Sequence, residues 1–365
     1  MSVLDPVPVL HILLATYRGA RFLPAQLDSL IEQRDREWRL LVSDDGSDDD
    51  TLSILRGYAA RDPRIVMVER SPATLGATRN FALLLQHFLS TDGQWFALCD
   101  QDDVWLPHKV ERLRRAMRDH VNATEPCLAY SDLAWIDERG RLLSASHFSG
   151  AGLRHPAQAA TVSALLHNLV PGCAMAGNRA LAERALPLPQ SVAHHDWWLL
   201  TLAAAGGEVV PVSEVLVHYR QHGNNQVGAS GALRRIARLL TRPAYLLAHA
   251  KTQYWGAVEQ ASELRTRLGF DRIKPAWRGA LTVSERRLAA HSRWRRVHAI
   301  LSGAAKRQGL ARSIFMLIGA LQEPPPSTDR TGGCTHVSAC TDMAEEWTAR
   351  PCSGQADRGT DQQVG

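Results

Sequence analysis

Apolar positions along the first 120 residues fall into short runs that alternate between two periods. Residues 9–16 (VLHILLAT) form a nearly continuous apolar run, the pattern of a strand covered on both faces. Leu23, Leu27, Leu30 and Ile31 then repeat at helical spacing through residues 23–32. The same reading predicts strands over 38–43, 65–69 and 95–99, and helices over 51–60 and 76–90, the latter opened by Gly76. Residues 107–118 predict a further helix with Pro107 at its first position, where a missing N–H does no harm. Strand alternating with helix implies a parallel sheet with helices on both faces. Such sheets bind ligands beyond the carboxyl ends of their strands.

Two acidic clusters fall at those ends. Asp44 and Asp45 close the second strand, and Asp100, Asp102 and Asp103 follow the fourth within CDQDDVW. Crowded carboxylates repel one another, and each is costly to desolvate without compensation. On an extended segment residues i and i+2 share a face, so Asp100 and Asp102 can meet one ion while Asp103 points elsewhere. Mg2+ or Mn2+ would supply the missing positive charge, since both prefer carboxylate oxygens. A solvated acidic turn is the plainer alternative. Asp48, Asp49 and Asp50 read as turn and helix-cap residues.

Composition adds an asymmetry. The 365 residues are 45% hydrophobic and 22% charged, ample for a sizeable core. Residues 1–231 hold 21 Lys+Arg against 26 Asp+Glu, residues 232–322 hold 18 against 4, and residues 323–365 hold 3 against 7. These are three physical objects: a slightly acidic body, a strongly basic helical segment and a polar tail expected to be disordered. Cys99, Cys127 and Cys173 sit in apolar contexts and read as buried thiols. Cys334, Cys340 and Cys352 in the tail fit no compact zinc spacing. No basic leader precedes the first strand, and no run of about 18 apolar residues exists. A cytoplasmic protein is therefore expected.

The basic segment has two readings. In ALRRIARLLTRP, Leu233, Ile236 and Leu240 share a face flanked by arginines. In SERRLAAHSRWRRVHAIL, Trp294 and Leu288 mix with five arginines. Such helices can lie peripherally on the anionic inner face of a membrane, or pack on the sheet as a cap with solvated arginines. Nucleic acid is a third kind of partner for basic helices, but the body carries no nucleic-acid-binding pattern.

Six stretches, taken in order, carry a resemblance. They are VSDDGSDDDT, LGATRNFALLL, FALCDQDDVWLPHKV, NLVPGCAMAGNR, HHDWWLL and YRQHGNN. Together with the strand ending in Thr16 and Tyr17, they resemble the inverting glycosyltransferases of family 2 over about residues 9–228. DQDDVW, HDWW and YRQHGNN are most similar to the rhamnosyltransferase-like bacterial branch. The resemblance implies a GT-A nucleotide-diphospho-sugar transferase fold, a Rossmann-like α/β sheet, mostly parallel with helices on both faces, here followed by the helical C-terminal segment. It implies transfer of rhamnose or another hexose from a dTDP- or UDP-sugar to a hydroxyl of a cell-surface glycan or lipid-linked acceptor, with inversion. The loop departs from the QxxRW pattern of processive synthases, which favours single additions.

Site roles follow by matching. Asp44 matches the acidic residue that bonds the nucleobase, with Asp45 second in line. Thr16 and Tyr17 flank the base, Arg79 reaches base or diphosphate, and Asp100 touches both nucleotide and metal. Asp102 is the second metal carboxylate, and His222 is a further ligand or a diphosphate contact with Arg220. For those last two, an ordinary polar loop is the alternative. Asp196 matches the general base, with His195 where the family often has Glu. Burial beside Trp197 and Trp198 would raise the proton affinity of a carboxylate there. Helix capping is the plainer role for Asp196, and the two are compatible. Asp103, Gly172, Cys173, His195, Trp197 and Arg220 are assigned to donor sugar and acceptor. A catalytically silent nucleotide-sugar-binding or scaffolding protein is the alternative function. Joint presence of the Asp100/Asp102 pair and Asp196 favours the enzyme.

Overall fold

The computed structural model describes residues 7–69, 74–120, 124–153, 165, 167–189, 192, 194–222, 243–301 and 310–324. The chain divides into one unit, Met1–Pro324, and a remainder, Pro325–Gly365, outside the described residues. The tail and most of ALRRIARLLTRP therefore lie outside the description, as does the expected boundary at 231/232.

The first half is built from strand–helix units: β1 (Leu10–Thr16), α1 (Leu23–Ile31), β2 (Trp38–Asp44), α2 (Thr51–Ala59), β3 (Ile65–Met67), α3 (Ala77–Leu89) and β4 (Trp95–Asp100). Its four strands run parallel in the order β3-β2-β1-β4. Leu10, Ile12, Leu13 and Leu14 of β1 are all buried, so consecutive residues are covered and both sheet faces carry helices. α1 buries Leu23, Leu27 and Leu30, one stripe at intervals of three and four.

Next come β5 (Val104–Trp105) and α4 (Lys109–His120). α4 starts two residues later than Pro107 suggested. The reason lies in a turn: Leu106 O accepts from Lys109 N at 3.0 Å, and Pro107 O accepts from Arg34 N at 2.8 Å beyond α1. These bonds pin residues 106–108 to the end of α1 instead of starting a helical turn.

The second half is mixed. It comprises β6 (Cys127–Ile136), β7 (Leu142–Ser144), α5 (His147–Gly150), a 3-10 turn (Gly172–Ala174), β8 (Met175–Asn178), α6 (Arg179–Ala185), α7 (His195–Gly206) and β9 (Glu208–Arg220). β8 lies antiparallel between β4 and β6, β9 is parallel to β6, and β5 is antiparallel to β9. Among the described residues the sheet runs β3-β2-β1-β4-β8-β6-β9-β5, with β7 on β6. This is the GT-A arrangement that the resemblance implies.

The helical C-terminal part comprises α8 (Pro243–Leu268), a 3-10 turn (Phe270–Arg272), α9 (Pro275–Val283), a π-helical turn (Ser284–Leu288), α10 (Arg293–Leu301) and α11 (Leu310–Ala320). Leu264, Leu268, Trp277 and Leu281 join the main core. Tyr254, Leu288, Ile300 and Met316 form a second apolar cluster around Trp197 of α7. α7 is buried on nearly every side, as a helix without a polar face must be. No helix among the described residues is long and apolar enough to cross a membrane.

Candidate active site

The carboxyl ends of β1, β2 and β4 make one rim. Thr16 closes β1, and its hydroxyl donates to Asp44 Oδ2 at 2.8 Å. Asp44 accepts three more bonds, from Gly46 N (3.1 Å) and Ser47 N (2.8 Å) on Oδ1 and from Ser47 Oγ (2.6 Å) on Oδ2. A carboxylate offers about four lone-pair sites. All four of Asp44 are used, three by its own turn and one by Thr16 of β1. Asp45 accepts from Leu75 N at 2.8 Å and Gly76 N at 2.7 Å, which fixes the entry to α3. Tyr17 is 42% exposed, so its ring is free to meet a flat partner. Its backbone is clamped by Gln101: Tyr17 N donates to Oε1, and Nε2 donates to Tyr17 O, both at 2.9 Å. Gln101 thus joins the ends of β1 and β4. Nothing but its place between two aspartates marked it in the sequence. Arg79 is exposed on the first turn of α3, apart from these bonds.

The cluster after β4 is the opposite case. Burial, then the charges of Asp102 and Asp196, push the Asp100 carboxyl up to about 7. Burial, then Asp102 and Asp100, raise Asp103 well above the usual carboxylate range. Asp103 Oδ1 accepts from Arg220 N at 3.1 Å, but its buried Oδ2 has no conventional hydrogen-bond partner among the described residues. The weakly donating Cys173 thiol stands beside it, and Asp100, Asp103 and Cys173 bring ligand atoms within 4.8 Å of one another. Asp102 instead pairs with His222 Nε2 at 2.6 Å. The expected metal group is therefore split between two neighbouring sets.

One fixed cation lies beneath. Lys109 is fully buried at the start of α4, its Nζ 2.5 Å from Cys173 O and 3.6 Å from the Trp105 ring centroid. Burial lowers its pKa to about 8, so it stays largely charged at neutral pH. Lys109, even with the Arg220 guanidinium on Asp102 O, does not balance the carboxylates of Asp100, Asp102, Asp103 and Asp196. That deficit, with the oxygen-rich donor set and a nearby imidazole, fits a divalent cation. The sequence analysis gave Lys109 no role beyond its place in the helix of residues 107–118. Its signal was there: Lys109, Leu113 and Met117 share one stripe at intervals of four, and all three are buried.

Asp196 reaches this cluster from the other side. His194 is the N-cap of α7, and Asp196 lies in its first turn. Asp196 Oδ2 accepts from Gly172 N at 3.0 Å and Oδ1 from Trp197 N at 2.8 Å. A Cβ on Gly172 would stand 3.3 Å from His195 Nε2 and 3.4 Å from Asp196 Cβ, so a side chain here would press on His195 and the glycine eases the approach. His195 stacks on Phe81 with centroids 4.0 Å apart. Its Nε2 has no hydrogen-bond partner among the described residues, and burial lowers its pKa to about 4. Trp197 is buried and turns away into the helical cluster.

Arg220 serves the loops. Its Nε donates to Asp102 O at 2.9 Å, and Nη1 donates to Asp137 O and Glu138 O at 3.3 Å each. Its guanidinium lies 4.9 Å from the Phe22 ring centroid. It braces the acidic loop from β9, while His222 two residues on meets Asp102. The site brings together Asp100, Asp102, Asp103, Gly172, Cys173, His195, Asp196, Arg220 and His222, with Thr16, Tyr17, Asp44 and Asp45 on the adjoining rim.

The chain is similar to several known proteins. A dTDP-rhamnosyl transferase of Shigella flexneri is 28% identical over 226 residues, covering 60% of this chain and 74% of that protein. An uncharacterized Mycobacterium bovis protein is 26% identical over 216 residues, covering 57% of this chain and 58% of the relative. Among solved structures, a Pyrobaculum calidifontis mannosyltransferase in complex with GDP-Man and Mn2+ is similar at 17% identity and a TM-score of 0.49, covering 87% of this chain and 80% of that one. S. aureus TarS in complex with UDP-GlcNAc is similar at 14% identity and a TM-score of 0.49, covering 86% and 90%. The family model for glycosyl transferase family 2 matches residues 11–183, spanning both acidic strand ends and Gly172. Residues 11–183 of this chain form a glycosyl transferase family 2 domain.

Proposed function

We propose that this protein transfers a sugar, rhamnose or another hexose, from a dTDP- or UDP-linked donor to a hydroxyl of a glycan or lipid-linked acceptor, by single displacement with inversion. The observation that carries the reading is the approach of Asp196 to the acidic cluster. Gly172 N–H holds Asp196 Oδ2 at 3.0 Å, and the charge of Asp196 is felt by Asp100. A base and a diphosphate-binding cluster thus share one cleft.

In this mechanism the acceptor oxygen attacks the anomeric carbon while its proton passes to the Asp196 carboxylate. The bond from that carbon to the diphosphate oxygen breaks on the opposite face, so configuration inverts. Asp100, Asp102 and His222 would hold a divalent cation, which as a Lewis acid would offset the charge growing on the diphosphate. Tyr17 and the Thr16–Asp44 corner receive the nucleoside. Gly172 and Cys173 floor the sugar subsite, and Asp103, held by Arg220 N–H, stands against that floor beside Cys173. His195, next to Asp196, is held neutral by burial. The donor assignment is supported by likeness to the Shigella flexneri dTDP-rhamnosyl transferase.

The test is Asp196→Asn in the full-length protein, with dTDP-rhamnose and UDP-hexoses offered with Mn2+. Transfer should fall about 10²–10⁴-fold, the usual worth of a general base. Donor affinity should hardly move, because a transition-state contact is lost without ground-state binding. Parent-rate transfer by the variant, or an NMR-observed product with the donor's anomeric configuration, would overturn the mechanism. A parent that binds nucleotide sugar yet neither transfers nor hydrolyses it would favour the silent binding role.

A further inference from the structure

α10 wears its side chains in reverse. Its inward stripe is Arg296, Ala299 and Ile300. Its outward stripe is Trp294, His298 and Leu301, spaced four and three apart, with Trp294 67% and Leu301 69% exposed. Arg296 points inward for a clear reason. Its guanidinium donates to Ala320 O (2.7 Å), Ala290 O (2.8 Å), His291 O (3.0 Å) and Gln322 O (3.0 Å), capping the end of α11 and the turn before α10. Nothing comparable accounts for a tryptophan and a leucine turned to solvent. α11, tied to α10 by the Arg296 bonds, likewise exposes Ile314, and Leu321 just past its end is exposed too.

Charge surrounds this apolar stripe. Arg286, Arg287, Arg293 and Arg295 are all exposed, and among the described residues none of them meets a carboxylate within ion-pair distance. Several arginines of the body, Arg18, Arg21, Arg112, Arg141 and Arg179 among them, each pair with a carboxylate. Residues 232–322 as a whole hold 18 Lys+Arg against 4 Asp+Glu. Outward Trp and Leu on one helix with exposed arginines close along the chain, Arg293 lying 5.9 Å from the Trp294 ring centroid, match one chemistry, an anionic lipid surface. An indole sits well at the headgroup level, and guanidinium groups meet lipid phosphates there. Nucleic acid would use the arginines but has no need of Leu301, Ile314 and Leu321.

We propose that α10, with the arginine pair before it and the exposed Ile314 and Leu321, is the face by which this protein docks on an anionic bilayer. The inner side of α10 packs Ala299 and Ile300 into the cluster that contains Trp197, the residue after Asp196. Docking this way would favour an acceptor carried on a lipid. That last consequence rests on the transfer reading, whereas the docking itself does not.

The experiment is flotation of full-length protein with vesicles of phosphatidylcholine alone, or with added phosphatidylglycerol. Binding should require phosphatidylglycerol and fade as salt is raised. Trp294→Ser combined with Leu301→Ser, and separately Gln at all four arginines, should each weaken partitioning about ten-fold or more. Trp294→Phe, which keeps an apolar ring, should bind nearly as the parent does. Melting temperatures should match the parent's, since every altered side chain is exposed. No binding at low salt, or parent-like binding by both multiple variants, would overturn the proposal. So would loss confined to the arginine variant with displacement by single-stranded RNA, which would mark a general polyanion site.

Discussion

Two acidic clusters stand at neighbouring strand ends, and they solve the same electrostatic problem in different ways. After β2, Asp44 is satisfied by four hydrogen bonds from Thr16, Gly46 and Ser47, and Asp45 by the backbone N–H groups of Leu75 and Gly76. After β4, Asp103 leaves one buried oxygen without a conventional partner, and Asp100 is pushed up to about 7. The chain neutralises the first cluster with its own donors. It leaves the second short of positive charge, with Lys109 as its buried cation. The first builds a rim, and the second waits for something to bind. Counting carboxylates cannot separate them, because both read as runs of aspartate. Counting donors does.

The largest expected effect comes from Asp100→Asn. Transfer should fall at least about 100-fold, since a ligand to the cation is lost. Stability without metal should move the other way. The Asp100 pKa lies near 7 in the fold and near 4 in an unfolded chain. The native state therefore holds its proton more tightly, and this group destabilises the fold as pH rises from about 4 to about 7. His195 acts in the opposite sense: its stabilising contribution is full above about 6.5 and fades as pH falls toward about 4. Melting in chelator at pH 5 and pH 8 separates the two. Between those pH values the parent should carry an Asp100 slope that Asp100→Asn lacks, and saturating Mn2+ should remove it from the parent. Identical pH slopes in parent and variant would erase the contrast between the clusters.

Much of this was legible in the sequence, and what was missed has a common cause. β1, β2 and β4 announce themselves as apolar runs, because a doubly covered strand needs nothing but buried side chains. DxD spacing and Asp196 were visible as local patterns. β8 was not placed, since four residues running antiparallel between β4 and β6 leave little periodic trace. Cys173 was read as a thiol without metal spacing, yet the fold brings it to Asp100 and Asp103 from some seventy positions away. Leu288 was grouped with Trp294 and five arginines in a segment read as either membrane-lying or packed on the sheet, and it is buried in the cluster around Trp197. Periodicity reports how a residue relates to its own element. Lys109, Cys173 and Leu288 owe their roles to partners far along the chain.

Asp45→Ala gives a smaller effect of another kind. The backbone donors of Leu75 and Gly76 lose their acceptor. Leaving such donors unpaired costs about 1–3 kcal/mol. In a unit of this size that lowers the melting temperature by roughly 2–10 °C. The loss should be the same with and without Mn2+, because this cluster needs no cation. Calorimetry in both conditions checks it. If Mn2+ protects the parent but not this variant, the two clusters form one cation site and the division fails.

The smallest effect is also the most discriminating for the rim. Ser47→Ala removes one of the four bonds to Asp44, the 2.6 Å donation from Ser47 Oγ, along with the acceptor for Arg18 N at 2.8 Å. Stability should drop by about 1 kcal/mol, the usual net worth of such a bond. Nucleotide binding tells more. If Asp44 takes the N3–H of a pyrimidine base, a hydroxyl must turn away to open a lone pair, and Ser47 has the more exposed of the two hydroxyls. Its removal opens that site in advance. UDP should then bind at least as tightly to Ser47→Ala as to the parent, despite the loosened turn. A UDP affinity that falls with Ser47→Ala would show that the turn must stay fully bonded for the base to fit, and would move base recognition from the Asp44 carboxylate to the backbone and ring of Tyr17.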